Sequence, residues 1–144
     1  VGAMDLDATP LWHHLPLVGE SRSADEGFLR SSDGRWLMGF GRQNGRFACV
    51  DVQDGSLRWE LPTYSSCTDV ACADIDGDGV TEFLFASSHA QLWAVRDLDG
   101  APEVLWRVDL PAAGGSPIIA DVNGDGFSEI VLYTADGYIN VLTP

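Results

Sequence analysis

Basic residues are scarce in this sequence of 144 residues. Eight Lys and Arg stand against 22 Asp and Glu, which gives a formal net charge of -14. A surface of this sign repels the phosphate backbone of nucleic acids, so nucleic acid is not an expected partner. Long apolar runs are also missing, and none approaches the roughly 18 residues that a membrane-spanning helix needs. We therefore expect neither a nucleic-acid-binding protein nor a membrane span.

The sequence contains three cysteines, too few for a disulfide framework. Cys67 and Cys72 flank the segment CTDVAC. They can form a bridge if that segment turns, or they can remain as two buried free thiols. Cys49 lies within RFACVDV and is expected to pack inside a strand. The cysteines therefore give no framework on which the fold could depend.

A repeat of 47 residues dominates the sequence. The segment ADIDGDGVTEFLFAS, which begins at Ala73, is similar to ADVNGDGFSEIVLYT, which begins at Ala120. Trp12, Trp59 and Trp106 follow the same spacing. The chain therefore consists of about three copies of one unit, as in other repeat architectures.

Each unit contains short segments typical of β-strands. They are rich in Val, Ile, Leu and aromatic residues and are separated by turn sequences such as DGDG, DLDG and NG. No stretch places apolar residues at i, i+3, i+4 and i+7 between capping residues, as a helix would. The sequence predicts an all-β protein of about three four-stranded antiparallel repeats, the composition of β-propeller blades.

The phase of the repeat divides the chain into segments. We expect residues 1–8 to be a tag remnant or linker, because VGAMD lacks the charged and apolar pattern of a signal peptide. Residues 9–144 are the expected propeller region. Its expected parts are a closing fourth strand (9–17), a first blade without a metal site (18–62), a second blade (63–111) and a third blade lacking its fourth strand (112–144).

Three blades are too few to close a propeller ring, because propellers typically have about four to eight blades. Two explanations remain open at this point. Either flanking blades belong to the native protein, or a second copy of the chain completes the ring as a homo-oligomer. In a dimer, the first strand of each chain would close the last blade of the other.

Two acidic loops occupy matching places in the second and third units. Oxygen-bearing side chains stand at loop positions 1, 3, 5 and 9, and glycine stands at position 6. Alternating acids in a tight turn converge on one point, and Ca²⁺ binds about six to eight oxygens. We predict two Ca²⁺ sites, each with a backbone carbonyl from position 7. The predicted ligands are Asp74, Asp76, Asp78, Val80 and Glu82 for one ion and Asp121, Asn123, Asp125, Phe127 and Glu129 for the other.

The first unit lacks these acids. Aligned at a 47-residue offset, its loop is residues 27–35, and positions 1, 3, 5 and 9 become Gly27, Leu29, Ser31 and Arg35. A cation at position 9 and the loss of the carboxylates predict a blade without metal.

The repeats resemble two propeller families. DIDGDGVTEFLF and DVNGDGFSEIVLY resemble calcium-binding FG-GAP type repeats, and FACVDVQDGSLRW is similar to the repeat of quinoprotein-like propellers. The second resemblance rests on the Asp-x-x-x-Gly-x-x-x-Trp spacing of Asp51, Gly55 and Trp59. It implies that Trp59 and Trp106 dock one blade onto the next, and Trp12 stands at a matching place. The FG-GAP resemblance implies an extracellular or periplasmic protein.

Two classes of function fit the sequence. The favoured one is a calcium-binding propeller module that acts as a rigid binding or structural scaffold for a protein or carbohydrate ligand. The alternative is part of a propeller-based enzyme, such as a quinoprotein dehydrogenase or a polysaccharide lyase. The sequence singles out no catalytic residue: His13 and His14 are neighbours that point to opposite faces of a strand, and no Ser lies in a nucleophile-elbow motif. Fold alone does not decide between the two classes.

Overall fold

The computed structural model of the chain describes residues 2–13 and 26–143. Within these ranges no helix is long and apolar enough to cross a bilayer. The described residues form thirteen β-strands. They are β1 (Gly2–Met4), β2 (Pro10–His13), β3 (Gly27–Arg30), β4 (Trp36–Arg42), β5 (Arg46–Asp51), β6 (Leu57–Pro62), β7 (Ala71–Ala73), β8 (Glu82–Ser87), β9 (Gln91–Leu98), β10 (Ala101–Asp109), β11 (Ile118–Ala120), β12 (Glu129–Tyr133) and β13 (Ile139–Leu142).

The strands form antiparallel sheets in chain order. Strands β3 to β6 make the first blade and β7 to β10 the second, each with four strands, and β11 to β13 make a three-stranded third blade. All pairings within the blades are antiparallel. The predicted all-β fold of propeller-like repeats is confirmed.

The N-terminal residues form a separate two-stranded sheet. Strand β2 pairs antiparallel with β1, and Trp12 lies opposite Ala3 in the register. The turn between them is held by Asp5, whose Oδ1 accepts hydrogen bonds from the backbone N–H groups of Asp7 and Thr9. Residues 2–4, expected as tag remnant or linker, are therefore a strand, and the expected closing strand pairs with them in the single chain. Residues 14–17 of that segment lie outside the described residues.

The predicted alignment of the first unit is wrong. Residues Gly27–Arg30 are strand β3, with Gly27 and Leu29 buried and Phe28 and Arg30 exposed. The turn that follows spans residues 31–35, whereas residues 74–81 separate the corresponding strands of the second blade. The first blade therefore has a turn three residues shorter, which a fixed 47-residue offset cannot register.

The main core lies between the first and second blades. Phe47 stacks on Phe85 with ring centroids 4.3 Å apart, and Trp59 lies within 6.1 Å of Phe83. The two blades approach closely at Gly39. A Cβ built there would lie 2.7 Å from the rings of both Phe47 and Phe83, so there is no room for a side chain. The first blade is thus docked onto the second through aromatic side chains.

A second core joins the second and third blades. Every residue of β8 is buried, because alternate side chains face the two neighbouring blades. Leu84 packs in this core with Ile130 and Leu132 of the third blade, and Trp106 contacts it from β10. Trp59 and Trp106 therefore both lie at blade junctions, as predicted, and each follows a β-bulge. The structure does not describe the side chain of Trp12.

The three cysteines are free thiols. Cys49 is buried within β5, while Cys67 and Cys72 are partly buried against the core between the first two blades. Burial raises the pKa of Cys72 to about 12 and also raises the pKa of Cys49 and Cys67. The structure thus favours free thiols over the bridge that the sequence left open.

Candidate metal centre

Each acidic loop is folded by its own first and fifth residues. In the second blade, Asp74 Oδ1 accepts the N–H of Gly77 at 2.8 Å, and its Oδ2 accepts that of Gly79 at 2.9 Å. Asp78 Oδ1 accepts the N–H of Val80 at 2.8 Å. The acids therefore wind the backbone into a tight turn that begins where β7 ends.

The third blade repeats this winding. Asp121 accepts N–H groups from Gly124 at 2.6 Å and Gly126 at 3.0 Å, and Asp125 Oδ1 accepts that of Phe127 at 2.9 Å. The bonds from Gly126 and Gly124 lower the pKa of Asp121. The loop frame is thus the same in both blades.

Two glycines in each loop adopt the left-handed conformation. The φ angles are +76° at Gly77 and +88° at Gly79, and the equivalent residues of the third blade have +80° and +91°. Other residues are strained there, so glycine is needed at positions 4 and 6. Position 4 therefore needs glycine as much as position 6, the glycine position of the predicted calcium loop.

The carboxylates of Asp74, Asp76 and Asp78 come together. One oxygen of each lies within 4.8 Å of one from each of the others, and all three side chains are exposed. Among the residues that the structure describes, no other three acidic, histidine or cysteine side chains meet in this way, so Asp121, Asp125 and Glu129 do not. In the third blade the third loop position is Asn123, whose side chain lies 3.0 Å from Asp125 and 3.1 Å from Glu129, so the predicted ligands of that loop also come together.

Glu82 lies fully buried beneath the exposed acids of its loop. Its Oε2 accepts the N–H of Ile75 at 3.0 Å, but its Oε1 has no hydrogen-bond partner among the residues that the structure describes. Burial, together with repulsion from the carboxylates of Asp76, Asp78 and Asp74, raises the pKa of Glu82 to about 7. A buried carboxylate oxygen without a partner is costly, and a cation in the loop would satisfy it.

Glu129 occupies the equivalent position in the third blade, but both of its carboxylate oxygens have hydrogen-bond partners. Its Oε2 accepts the N–H of Val122 at 2.9 Å, as in the second blade. Its Oε1 accepts a hydrogen bond from Asn123 Nδ2 at 3.1 Å. Asn123 is equivalent to Asp76, whose ionised side chain has no N–H group to donate to the corresponding glutamate oxygen.

Arg96 also contacts the acidic loop of the second blade. Its Nη1 donates to Asp78 Oδ2 at 2.6 Å, and its Nε donates to Glu103 Oε2 at 2.6 Å. The hydrogen bond from Val80 and the Arg96 guanidinium lower the pKa of Asp78. Arg96 follows Asp78 by 18 residues and comes from β9, so no local pattern pointed to it.

A cleft of about 660 Å³ separates the two loops. Asp74 and Asp76 line it on one side and Asp125 and Phe127 on the other. Phe127 is exposed.

The predicted ligands are carboxylates, backbone carbonyls and one amide, and all of them offer oxygen as the donor atom. Oxygen donors suit a hard cation such as Ca²⁺ and not a soft transition metal. The residues present therefore fit the predicted ion.

The two acidic loops lie in a segment that is similar to a known repeat family. The family model described as FG-GAP-like repeat matches residues 74–132. This segment begins in the second blade, ends in the third and includes both acidic loops. No curated protein sequence matches the chain. The family resemblance of the acidic loops is thus supported by an independent comparison.

Two solved structures share the fold. BamB from Moraxella catarrhalis superposes with a TM-score of 0.60 and 14% sequence identity, over 94% of this chain and 37% of that one. The dihydro-heme d1 dehydrogenase NirN, solved in complex with DHE, gives a TM-score of 0.66 at 14% identity, over 97% of this chain and 32% of its own. The chain thus spans about a third of the length of these structures. It shares their β-propeller fold, and residues 74–132 of it match the model of the FG-GAP-like repeat.

Proposed function

We propose that this chain is a calcium-binding propeller module and that its acidic loops hold the ions. The observation that carries the proposal is the Glu82 carboxylate, fully buried, with Oε1 unpartnered and close to three exposed acids of its own loop. A divalent cation bound in this loop would compensate the negative charge of Glu82 and reduce its repulsion with the three aspartates. The predicted ligand sets are those named above, with carbonyls of Val80 and Phe127.

The ion would make the module a rigid scaffold for a protein or glycan ligand. The acidic loops join the first two strands of their blades, so that a bound cation would fix the connection between those strands. Relatives of this repeat and fold suggest an extracellular or periplasmic setting. Extracellular calcium modules bind with dissociation constants of about 10⁻⁴–10⁻³ M, and we propose an affinity in this range or somewhat tighter.

Chelation tests the calcium proposal. The melting temperature of the calcium-loaded protein should fall in excess EDTA and return when Ca²⁺ is restored, because a ligand that binds only the folded state stabilises it. Mg²⁺ at the same concentration should restore it less, since Mg²⁺ retains its water and demands a smaller octahedral cage. An identical melting curve with and without chelator would contradict the proposal.

We also propose that a second copy of the chain completes the ring. Tyr133, Ile139 and Val141 of the third blade are 57%, 74% and 53% exposed. The repeat places them at the positions of Ala86, Leu92 and Ala94, which are buried against the third blade. An apolar sheet face of this kind, next to the edge strand β13, is suited to cover by another blade.

The dimer proposal assigns a role to the N-terminal hairpin. Within the described residues β2 pairs with β1 alone, so that its other edge can still add to a strand of a second chain. Pairing of β2 with β13 of the other copy would add a fourth strand to each third blade. The arrangement is reciprocal, as two-fold symmetry requires.

A further inference from the structure

The two acidic loops have the same backbone frame but differ at their third position, Asp76 in one and Asn123 in the other. We propose that this difference makes them unequal in affinity: the loop of the second blade is the calcium site of higher affinity, and the loop of the third blade, whose carboxylates are bridged by Asn123, is the site of lower affinity. The inference rests on the proposed calcium function and states which loop carries it.

Asn123 bridges two carboxylates of its loop. Its Nδ2 donates to Asp125 Oδ2 at 3.0 Å and to Glu129 Oε1 at 3.1 Å. These bonds use both N–H groups of the amide and engage the oxygens that would otherwise face an ion. A cation entering this loop must displace both bonds, so part of its binding energy is lost.

Asp76 cannot make such a bridge. An ionised carboxylate accepts hydrogen bonds only, so Asp76 adds a further negative oxygen where Asn123 supplies a donor. Glu82 Oε1 is consequently left buried without a partner. A cation can therefore bind at the second blade without first breaking a hydrogen bond to this oxygen.

The Asn and Asp side chains serve the backbone equally well. Asp125 N–H donates to Asn123 Oδ1 at 2.8 Å, and Asp78 N–H donates to Asp76 Oδ1 at 3.1 Å. Exchange of one residue for the other should thus leave each turn folded. The chain itself provides the matched pair of substitutions, Asp76→Asn and Asn123→Asp.

The guanidinium of Arg96 does not cancel the proposed difference in calcium affinity between the two loops. Its bond to Asp78 offsets one negative charge, but it also contacts Glu103 on the neighbouring strand β10. Arg96 can therefore release Asp78 to an incoming ion while keeping an ion-pair partner. The amide bonds of Asn123, by contrast, lie within its own loop, so an ion that enters there competes with them directly.

Calcium titration calorimetry of the whole chain and the two variants tests the inference. The parent protein should bind one ion at least about tenfold more tightly than a second, because the number of charged ligands sets the affinity of such sites. Asp76→Asn should weaken the tight step about tenfold or more. Asn123→Asp should strengthen the weak step until the two become similar.

A measurement without metal provides the second readout. In excess EDTA the melting temperature of Asp76→Asn should be equal to or above that of the parent, because the amide introduced at this position can donate to Glu82 Oε1. The melting temperature of Asn123→Asp should fall, because Glu129 Oε1 loses its donor.

The outcomes separate this inference from the calcium proposal. Two steps of equal affinity in the parent, or a tight step that survives Asp76→Asn, would overturn the inference and leave calcium binding intact. No heat of binding in any of the three proteins would overturn both.

Discussion

Arg58 of the first blade holds Asp97 of the second through two parallel hydrogen bonds, Nε to Oδ1 and Nη2 to Oδ2, each 2.7 Å long. The Asp97 carboxylate is buried, and Trp59 Nε1 also donates to its Oδ1 at 2.7 Å. Arg58 lies at a β-bulge of β6, which precedes Trp59. One buried acid thus fixes both the bulge and the docking tryptophan across the junction of the two blades.

Replacement of this acid tests the importance of the junction. Asp97→Asn removes the charge that Arg58 faces in a buried site, and breaking such a pair costs about 3–5 kcal/mol. We expect a loss of that order in the free energy of unfolding, measured by urea titration. Asp33→Asn is the control, because Asp33 contacts the same guanidinium from the exposed side at 3.0 Å, and its replacement should cost much less. Equal losses in the two variants would contradict the role of Asp97.

The docking tryptophan makes a second prediction. Trp59 is 6% exposed and stacks on Phe47, so Trp59→Ala should lower the free energy of unfolding by about 3–5 kcal/mol. Trp36 provides the control, because it also lies on a strand of the first blade but is 57% exposed. Trp36→Ala should cost under about 1 kcal/mol. A loss under about 1 kcal/mol for Trp59→Ala would show that the tryptophan does not dock the blades.

The sequence predicted the strands well where both neighbours of a blade are present. The apolar and aromatic composition of EFLFAS predicts a strand, and the segment is β8, Glu82–Ser87, with every residue buried. The first loop was misplaced, since Gly27 and Leu29 belong to a strand whose turn is three residues shorter. A repeat length constrains equivalent strands but not the turns between them.

The candidate site could be predicted only in part. The spacing of Asp74, Asp76 and Asp78 correctly predicted that their carboxylates converge. The contact of Arg96 with this loop depends on the pairing of β9 with β8, and the sequence around either partner does not reveal it. The missing partner of Glu82 Oε1 depends on burial by the completed fold, which spacing alone does not reveal.

The buried carboxylate predicts opposite effects of one substitution in the two loops. In excess EDTA, Glu82→Gln should raise the free energy of unfolding by about 1–2 kcal/mol, because an unpartnered buried charged oxygen is removed. Glu129→Gln should lower it by about 1–2 kcal/mol, because Glu129 uses both oxygens as acceptors and glutamine has one. Chemical denaturation in EDTA measures both, and effects of the same sign would contradict the difference between the loops. Glu82→Gln should also remove most of the stabilisation by Ca²⁺.

The thiols predict a loss of stability at alkaline pH. Burial raises the pKa of Cys72 to about 12 from the ordinary 9.0, so the folded protein keeps a proton that the unfolded chain releases. The contribution of this group is therefore present below pH 9.0 and is lost as the pH rises toward 12. Urea titrations at about pH 8 and about pH 10 should show this decrease, and Cys72→Ala should make it smaller.

Thiol labelling tests the burial of Cys72 directly. At about pH 8, a thiol reagent should label the native protein much more slowly than the protein in urea. Rapid native labelling of Cys72 would contradict its burial.

The exposed face of the third blade predicts the mass of the particle. If a second copy covers Tyr133, Ile139 and Val141, light scattering should give twice the chain mass of 15.5 kDa at micromolar concentration. Ile139→Asp places a charge within that face and should shift the mass toward the monomer, because a charge buried without a partner is costly. Leu98→Asp is the control, since Leu98 is 49% exposed at the end of β9 in the second blade, where the repeat predicts no cover. A parent protein that remains at 15.5 kDa over the accessible range of concentration would contradict the dimer. Dissociation by both variants alike would place the contact elsewhere than on the third blade.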